Sequence, residues 1–435
     1  MAMNNKWSCN RFLKTLIVRV ASVFCLPLTV NFLVSSSVLS QSGHAPQSPS
    51  LSGSQSGLQA RSQPSLQSDV QSGSPEVVVD RIIVNRSNIF DGPVANPASP
   101  VALAAVTINR LHTTTREEVI LREIGVAPGD SLSLTDISDI ERRLRALGIF
   151  SSVAARFVTA NDGIELHITT RDNLSLVAGA SGSFLGGVGN VGARFGERNL
   201  LGTGNRLFLD VSRNTTDNFR GTLTLTDLHF GNRPWRTSYR IGRTDEGDFY
   251  GFRLTDPFIS LSDTRAWTIA ADQVEENTEF YLDGEIVAAV PQDRASIAGS
   301  YTWRSGSIER YFRRGFIAGV TDLDYSETIG VAADAILLPP DGTTLSFGGL
   351  LALDSVERFA KVQGFDTLNF VQDISIGSTA ELRLGLNLVD EDNTQDPLIE
   401  PTVALVLSKN VNVLENTYLQ YSLSLIHISE PTRPY

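Results

Sequence analysis

Residues 235–242 read Trp-Arg-Thr-Ser-Tyr-Arg-Ile-Gly, so that Trp, Thr, Tyr and Ile alternate with Arg, Ser, Arg and Gly. Residues 206–212, which read Arg-Leu-Phe-Leu-Asp-Val-Ser, show the same period of two. Successive side chains of a β-strand point to opposite faces, so both stretches predict strands with one apolar and one polar or small face. From residue 174 to residue 422 this alternation recurs between clusters of turn residues.

This pattern is typical of a transmembrane β-barrel, whose strands lie between lipid and a wet lumen. Beyond the N-terminus no stretch of about 18 apolar residues occurs, so the chain can enter a membrane only as a closed barrel. At about 20 residues per strand and connection, residues 172–422 hold about 12 strands. A soluble β-sandwich or solenoid is the alternative, because alternation alone does not locate the apolar face. Aromatic residues near strand ends would suit the membrane interfaces: Trp235, Phe258, Trp267, Tyr301 and Trp303.

Residues 76–171 predict a small α/β domain ahead of these strands. After a β-branched run, the Pro- and Ala-rich residues 92–105 indicate a loop or insertion. A capping box is predicted at residues 115–118 (Thr-Arg-Glu-Glu), with a helix that ends at Gly125. A second helix begins at Ser133, ends at Gly148 and is followed by two strands. Its apolar stripe against the sheet comprises Leu134, Ile137, Ile140, Leu144 and Leu147.

Residues 115–120 (Thr-Arg-Glu-Glu-Val-Ile), 128–130 (Pro-Gly-Asp) and 144–150 (Leu-Arg-Ala-Leu-Gly-Ile-Phe) resemble a POTRA domain. Residues 197–204, together with Asp-Pro-Phe at 256–258, resemble the beginning of the barrel in the BamA/TamA family of outer-membrane insertases. The resemblance implies an α+β POTRA-like domain followed by an all-β transmembrane antiparallel β-barrel. About 12 of the family's sixteen strands would be present. A generic small α/β domain is the alternative for the first part.

The resemblance also implies a non-enzymatic function in outer-membrane protein assembly. A POTRA sheet has an open edge that can accept an unfolded client as an extra strand through main-chain hydrogen bonds. The candidate edge comprises Phe150, Ser151, Ser152, Val153, Ala154, Ala155, Arg156 and Phe157. The family-like turn at the beginning of the barrel comprises Asn199, Leu200, Leu201, Gly202, Thr203 and Gly204. A first strand near residues 174–184 would pair weakly with the last at a seam, since Gly179 and Gly182 weaken pairing.

The expected partners are unfolded outer-membrane protein clients, outer-membrane lipids and accessory periplasmic proteins or lipoproteins. The expected location is the outer membrane, with the N-terminal domain in the periplasm. A secretion transporter of the two-partner type is one alternative, which would be favoured by two POTRA-like domains and a plug helix. A surface antigen or porin is the other. The family's interior Arg-Gly-Phe motif is assigned neither to residues 314–316 (Arg-Gly-Phe), which begin a predicted strand, nor to residues 363–365 (Gln-Gly-Phe).

Other motifs indicate no cofactor, metal or nucleic acid. The net charge of −12 argues against a phosphate backbone as partner. Residues 187–192 match G-x-G-x-x-G, but strands on both sides predict a hairpin instead of a dinucleotide site. His112, His167 and His229 lack metal-ligand spacing. Residues 390–393 (Asp-Glu-Asp-Asn) lack the Gly and final Glu of a calcium loop.

The two ends predict segments outside the folded domains. Residues 1–40 combine four basic residues with an apolar run from 20 to 34 and resemble a secretory signal peptide, with a membrane anchor as the alternative. Both cysteines, Cys9 and Cys25, lie within this segment. Residues 41–75 predict a disordered Ser/Gln/Gly linker. Residues 423–435 resemble a translated sequencing adapter, which predicts that the native chain continues differently after residue 422; a natural loop-like tail is the alternative.

Overall fold

The computed structural model describes residues 76–90, 100–185, 188–215, 219–245, 247–282, 285–330, 341–363, 371–391, 397–414 and 417–428. The predicted signal peptide, the predicted linker and the last residues of the predicted tail lie outside these ranges. Two bodies of structure follow one another along the chain: an α/β domain and a large antiparallel sheet. None of the helices among the described residues is long and apolar enough to cross a membrane.

The α/β domain places its helices against a three-stranded sheet of order β2-β5-β4. β5 is parallel to β2 and antiparallel to β4, and two short strands, β1 and β3, pair separately. The elements are β1 (Val77–Val78), β2 (Arg81–Ser87), α1 (Pro100–Leu111), α2 (Glu117–Ile124), β3 (Ser131–Leu132), α3 (Leu134–Ala146), β4 (Phe150–Ala160) and β5 (Gly163–Asp172).

The core of this domain lies between α2, α3 and the sheet. The buried side chains are Ile120 and Ile124 from α2, Ile137, Ile140 and Leu144 from α3, and Leu166 and Ile168 from β5, joined by Leu147 and Ile149. The predicted stripe of the second helix is therefore confirmed at four positions. It is wrong at Leu134, the first residue of α3, which is 63% exposed. The stripe reaches the sheet only from the second turn of the helix onward.

Two local predictions in this domain are wrong. Residues 92–105 were predicted as a loop, but α1 begins at Pro100, where the missing N–H and fixed φ of proline suit a first helical position. Residues 92–99 lie outside the described residues. The predicted capping box at Thr115 does not form either. Arg116 is the N-cap of α2 and makes no side-chain cap hydrogen bond, while a capping box does form between Ser133 and Asp136 at α3.

The second body is a sheet of thirteen strands, each antiparallel to the next in chain order. Its strands are β6 (Leu176–Leu185), β7 (Val188–Glu197), β8 (Arg206–Asn214), β9 (Phe219–Asp227), β10 (Arg236–Thr244), β11 (Asp248–Asp256), β12 (Arg265–Leu282), β13 (Glu285–Gly306), β14 (Arg310–Tyr325), β15 (Gly342–Gln363), β16 (Val371–Glu391), β17 (Leu398–Leu414) and β18 (Thr417–Ile428). About 12 strands were predicted. The thirteenth, β18, includes residues 423–428, which the sequence assigned to a non-native tail.

The strands become longer from β12 onward. β6 to β11 have nine or ten residues each, which is about the length that crosses the hydrocarbon layer at a tilt. The five strands from β12 to β16 have 16 to 22 residues. β12 pairs with β11 only up to Val274. The residues of β12 after Val274, together with their partners in β13, therefore extend beyond the shorter strands.

The two faces of the sheet differ in chemistry, as the alternation predicted. One face exposes large apolar side chains that include Phe195, Leu209, Ile269, Phe316, Phe347, Leu351, Leu384 and Leu407. The opposite face carries buried charged groups: Asp272, Asp354 and Glu381. Arg313 binds Asp354 across neighbouring strands, with 2.6 Å from Nε to Oδ2. The first face suits lipid and the second an aqueous lumen.

Candidate client-binding edge and its junction with the barrel

The eight residues of the predicted edge all lie in β4, which is an end strand of its sheet. Within the described residues β4 pairs with β5 alone, so one side of its backbone faces outward. Side chains of Ser152, Ala154 and Arg156 are exposed, whereas those of Val153, Ala155 and Phe157 pack against the core. One row of side chains therefore packs against the core, and the other row is exposed to solvent. The backbone edge that faces away from β5 has no strand partner among the described residues.

One backbone donor on this open side is occupied by a side chain from α3. The N–H of Ala155 donates to Oε1 of Glu141 at 3.1 Å. Backbone groups alternate in direction along a strand, so the N–H groups of Val153 and Phe157 point to the same side as that of Ala155. A carboxylate therefore caps the middle of the edge.

The same helix is fixed to the beginning of β16. Arg145 donates from Nε to Oδ2 of Asp373 at 2.7 Å and from Nη2 to Oδ1 at 3.1 Å. Arg145 also donates from Nη1 to Oε2 of Glu141 at 3.2 Å. Burial lowers the pKa of Arg145, but hydrogen bonds and charges of Asp373 and Glu141 outweigh it, so the pKa is raised. The guanidinium stays charged between two carboxylates.

A second contact joins α3 to the loop between β11 and β12. Ser260 donates from Oγ to Oδ2 of Asp139 at 2.9 Å, and Arg142 donates from Nη2 to the carbonyl of Ile259 at 2.8 Å. Arg142 also lies over the ring of Phe359 in β15, 5.5 Å from its centroid. Helix α3 therefore spans the distance between β4 and three barrel segments.

The predicted turn at the beginning of the barrel docks against the N-terminus of α2. Asn199 donates from Nδ2 to Oγ1 of Thr115 at 2.8 Å, and its Oδ1 accepts from the N–H of Gly204 at 2.8 Å. The carbonyl of Gly202 accepts from the N–H of Arg116 at 2.8 Å. This bond satisfies a backbone donor near the beginning of α2, where no side-chain cap is present. The turn therefore substitutes for the capping box that the sequence predicted.

A second turn of the same conformation lies between β9 and β10 and was missed in the sequence. Leu201 has φ 54° and ψ 28°, and Gly231 has φ 64° and ψ 27°. Both turns close with a backbone bond between residues five apart, Leu200 to Asn205 at 2.8 Å and Phe230 to Trp235 at 2.9 Å. An arginine follows the last residue of each turn: Arg206 follows Asn205, and Arg236 follows Trp235. This shared arginine is the sequence signal that could have shown that the two turns are alike.

These two arginines both contact the α/β domain. Arg206 donates from Nη2 to the carbonyl of Leu147 at 2.7 Å, and Arg236 donates from Nη2 to Oε1 of Glu123 at 3.4 Å. Glu123 lies on α2 and is 2% exposed, with Nε2 of His229 3.3 Å from its Oε2. A buried carboxylate beside Arg236 and His229 thus forms a second docking point, separate from Arg145 and Asp373.

A Ser-His-Asp hydrogen-bonded chain lies where β5 leads into β6. His112 Nε2 is 2.8 Å from Oδ2 of Asp172, and Ser175 Oγ is 3.3 Å from His112 Nδ1. Asp172 Oδ2 also accepts from the N–H of Thr115 at 2.7 Å. Ser175 and Asp172 are 2% and 1% exposed, so a substrate has no access to the hydroxyl. The chain instead ties the end of α1 to the link between the two bodies.

The remaining motifs lie in strands or outside the described residues. Residues 188–192 of the G-x-G-x-x-G match lie in β7, paired with β6, while Gly187 lies outside. Residues 314–316 lie within β14. His167 is 2.9 Å from Glu165 through Nε2 and Oε2. No group of three metal-ligating side chains occurs among the described residues.

The POTRA family, described as "Surface antigen variable number repeat", matches residues 102–171. No curated protein sequence matches the chain. Similar solved structures include BamA from Haemophilus ducreyi lacking POTRA domains 1–3, at 13% identity and TM-score 0.28 over 79% of this chain and 81% of that one. CdiB from Acinetobacter baumannii gives 11% identity and TM-score 0.30 over 82% and 91%. CdiB from Escherichia coli gives 11% identity and TM-score 0.20 over 84% and 94%.

The first domain is therefore a POTRA domain, joined to an antiparallel sheet of barrel type. This statement rests on the family match and the strand register, since TM-scores this low carry no argument. The predicted fold class is confirmed, and the family match over residues 102–171 confirms the POTRA part of the predicted resemblance.

Proposed function

We propose that this chain is an outer-membrane protein that binds unfolded outer-membrane clients along β4 and assists their insertion into the membrane. The observation that carries the proposal is the position of β4. It is the end strand of a POTRA sheet, and α3, which packs against it, is bound to the barrel through Arg145 and Asp373. A client that is held at β4 would lie beside the barrel.

The chemistry of β4 suits a partner of variable sequence. An added strand would be held by backbone hydrogen bonds, which do not depend on client side chains. Two of the exposed side chains in the first half of β4, Ser152 and Ala154, are small, so they exclude few client side chains. The selectivity for clients would then come from their extended backbone and from the alternation of apolar and polar residues in their sequence, because barrel strands share both features.

The large sheet supports a location in the outer membrane. Its apolar face would contact outer-membrane lipids, and aromatic side chains cluster near the POTRA-proximal ends of its strands. Trp235 and Trp267 meet edge to face with centroids 5.4 Å apart, and Tyr301 contacts Trp303 with centroids 4.6 Å apart. Aromatic girdles at this level are typical of outer-membrane barrels. The POTRA domain would then face the periplasm, where accessory proteins could reach it.

The test compares Ala155→Pro with Ala155→Ser in the full chain reconstituted into liposomes. Proline removes the outward N–H without breaking the ladder to β5, since that donor is not used there, and serine keeps the donor. We expect photo-cross-linking from position 154 to a urea-unfolded eight-stranded barrel, and insertion of that barrel, to fall about fivefold or more with proline. Serine should leave both unchanged.

Equal activity of the two variants would contradict binding at β4. Passage of a soluble exoprotein across the liposome, with no insertion of a barrel client, would instead identify the chain as a secretion transporter.

A further inference from the structure

The Glu141 carboxylate occupies the donor that a client strand would need first. Its Oε1 accepts the N–H of Ala155 at 3.1 Å, at the middle of β4. A charged acceptor makes a stronger hydrogen bond than a backbone carbonyl does. An added strand must therefore displace Glu141 before its own carbonyl can bind there.

The second oxygen of the same carboxylate is held by two cations. Oε2 lies 3.2 Å from Nη1 of Arg145 and 3.4 Å from Nζ of Lys361 in β15. Arg145 is in turn held by both oxygens of Asp373 in β16. The side chains of Arg145 and Asp373 are 8% and 7% exposed, so this pair is shielded from water and salt. The position of Glu141 thus depends on two barrel strands.

We propose that Glu141 is a latch that keeps the centre of β4 closed to clients and that Lys361 and Asp373 of the barrel hold the latch in place. This inference rests on the proposed function, because it concerns access to the same strand. When the ends of β15 and β16 move away from α3, Glu141 loses Lys361, Arg145 loses the Asp373 carboxylate that orients it toward Glu141, and the edge opens. Coupling between two sites is reciprocal, so a strand bound at β4 also weakens the contact of α3 with the barrel.

The latch has a second consequence for the free protein. Unpaired edge strands invite association with other chains, and natural proteins commonly cover or charge them. Glu141 places a negative charge beside the one stretch of β4 whose side chains are small. The closed state is therefore protected against edge-to-edge pairing between copies, whereas a released edge is open to a strand.

The experiment uses the full chain in detergent and a fluorescein-labelled peptide with the sequence of residues 402–410, a barrel strand of this protein. Binding at β4 is defined as the part that is lost in Ala155→Pro. We expect Glu141→Ala to strengthen this binding about tenfold, since a charge-assisted competitor is removed. Hydrogen exchange of the Ala155 amide should accelerate in the same variant. Glu118→Ala is the matched control, because Glu118 is exposed and pairs with Arg122 on its own helix.

A second arm tests the connection to the barrel. Asp373→Asn leaves β4 and Glu141 intact but removes the charge that holds Arg145, so we expect binding to strengthen about threefold and Ala155 exchange to accelerate. Asp248→Asn, at a half-exposed ion pair in β11, is the control. Glu141→Gln, which keeps an acceptor oxygen and changes the shape least, should give an intermediate affinity.

The outcomes separate the latch from the proposed function. Peptide binding that is lost in Ala155→Pro but equal in the wild type, Glu141→Ala and Asp373→Asn overturns the latch and leaves the client edge standing. If Glu141→Ala strengthens binding but Asp373→Asn does not, Glu141 still blocks β4, and the proposal that the barrel holds Glu141 in place is overturned. Peptide binding that Ala155→Pro does not reduce in any variant overturns both proposals.

Discussion

At the scale of single residues, the contact between the two bodies depends on backbone conformations that few residue types adopt. Gly202 has φ 73° and offers its carbonyl to α2. A Cβ at this position would lie 2.6 Å from the carbonyl oxygen of Thr114, which is a backbone atom and cannot rotate away. Gly231 has a similar φ of 64°, but a Cβ there would meet nothing within 4 Å. A substitution at Gly231 therefore tests the strain of the positive φ alone, whereas a substitution at Gly202 tests that strain together with a steric clash.

We therefore expect Gly202→Ala to destabilise the junction more than Gly231→Ala does. The positive φ should cost about 1–2 kcal/mol in both variants, and the clash should add about 1–3 kcal/mol at position 202 only. The check is the urea midpoint followed by tryptophan fluorescence, since Trp235 and Trp267 lie at the adjacent ends of the barrel strands. Equal midpoints for the two variants would show that the turn does not press against Thr114.

At the scale of elements, periodicity predicted the structure where one face of an element is buried. The stripe of α3 and the alternation of β8 and β10 are of this kind, because apolar side chains repeat with the period of the element. The candidate edge followed from resemblance; β4 is an end strand in the sheet order, while client binding there stays a prediction. What the sequence could not predict depends on distant contacts. The cap of α2 comes from Gly202, and the partner of Arg145 is Asp373, 228 positions away.

Helix α3 offers a matched pair of sites for testing its buried face. Leu144 is 0% exposed in the core, whereas Leu134 on the same helix is 63% exposed. We expect residues 76–171 expressed alone to fold, because all but one of the core residues, Leu228, lie within them. Leu144→Asp should unfold this domain, since it buries an unpaired charge at several kcal/mol. Leu134→Asp should leave the circular dichroism spectrum unchanged. A folded Leu144→Asp domain would contradict the packing of α3 on the sheet.

At the scale of the whole molecule, contacts on two different helices set the position of the POTRA domain under the barrel, and two buried ionic clusters are among them. Arg145 and Asp373 join α3 to β16, while Glu123 joins α2 to Arg236 and His229 at the beginning of β10. Hydrogen bonds of Ser260 with Asp139 and of Gly202 with Arg116 add to these contacts, so that contacts on both helices together fix the orientation of the domain. The latch at Glu141 lies beside the first contact, so the second can hold the domain in place while the first opens.

This division of roles predicts different effects for the two contacts. Glu123→Gln leaves Arg236 and Arg206 near one another without a buried carboxylate, and breaking such a pair costs about 3–5 kcal/mol. We expect the POTRA domain to undock, which would broaden the distance distribution between spin labels at positions 159 and 215 in a chain lacking Cys9 and Cys25. Arg236→Gln should have the same effect, and the two substitutions together should cost less than their sum, because they remove one interaction. Asp373→Asn should open β4 but leave this distribution narrow, since Glu123 still holds α2. A narrow distribution in Glu123→Gln would show that the remaining contacts hold the domain without Glu123, and a broad one in Asp373→Asn would show that the contact of Arg145 with Asp373 is needed to hold it.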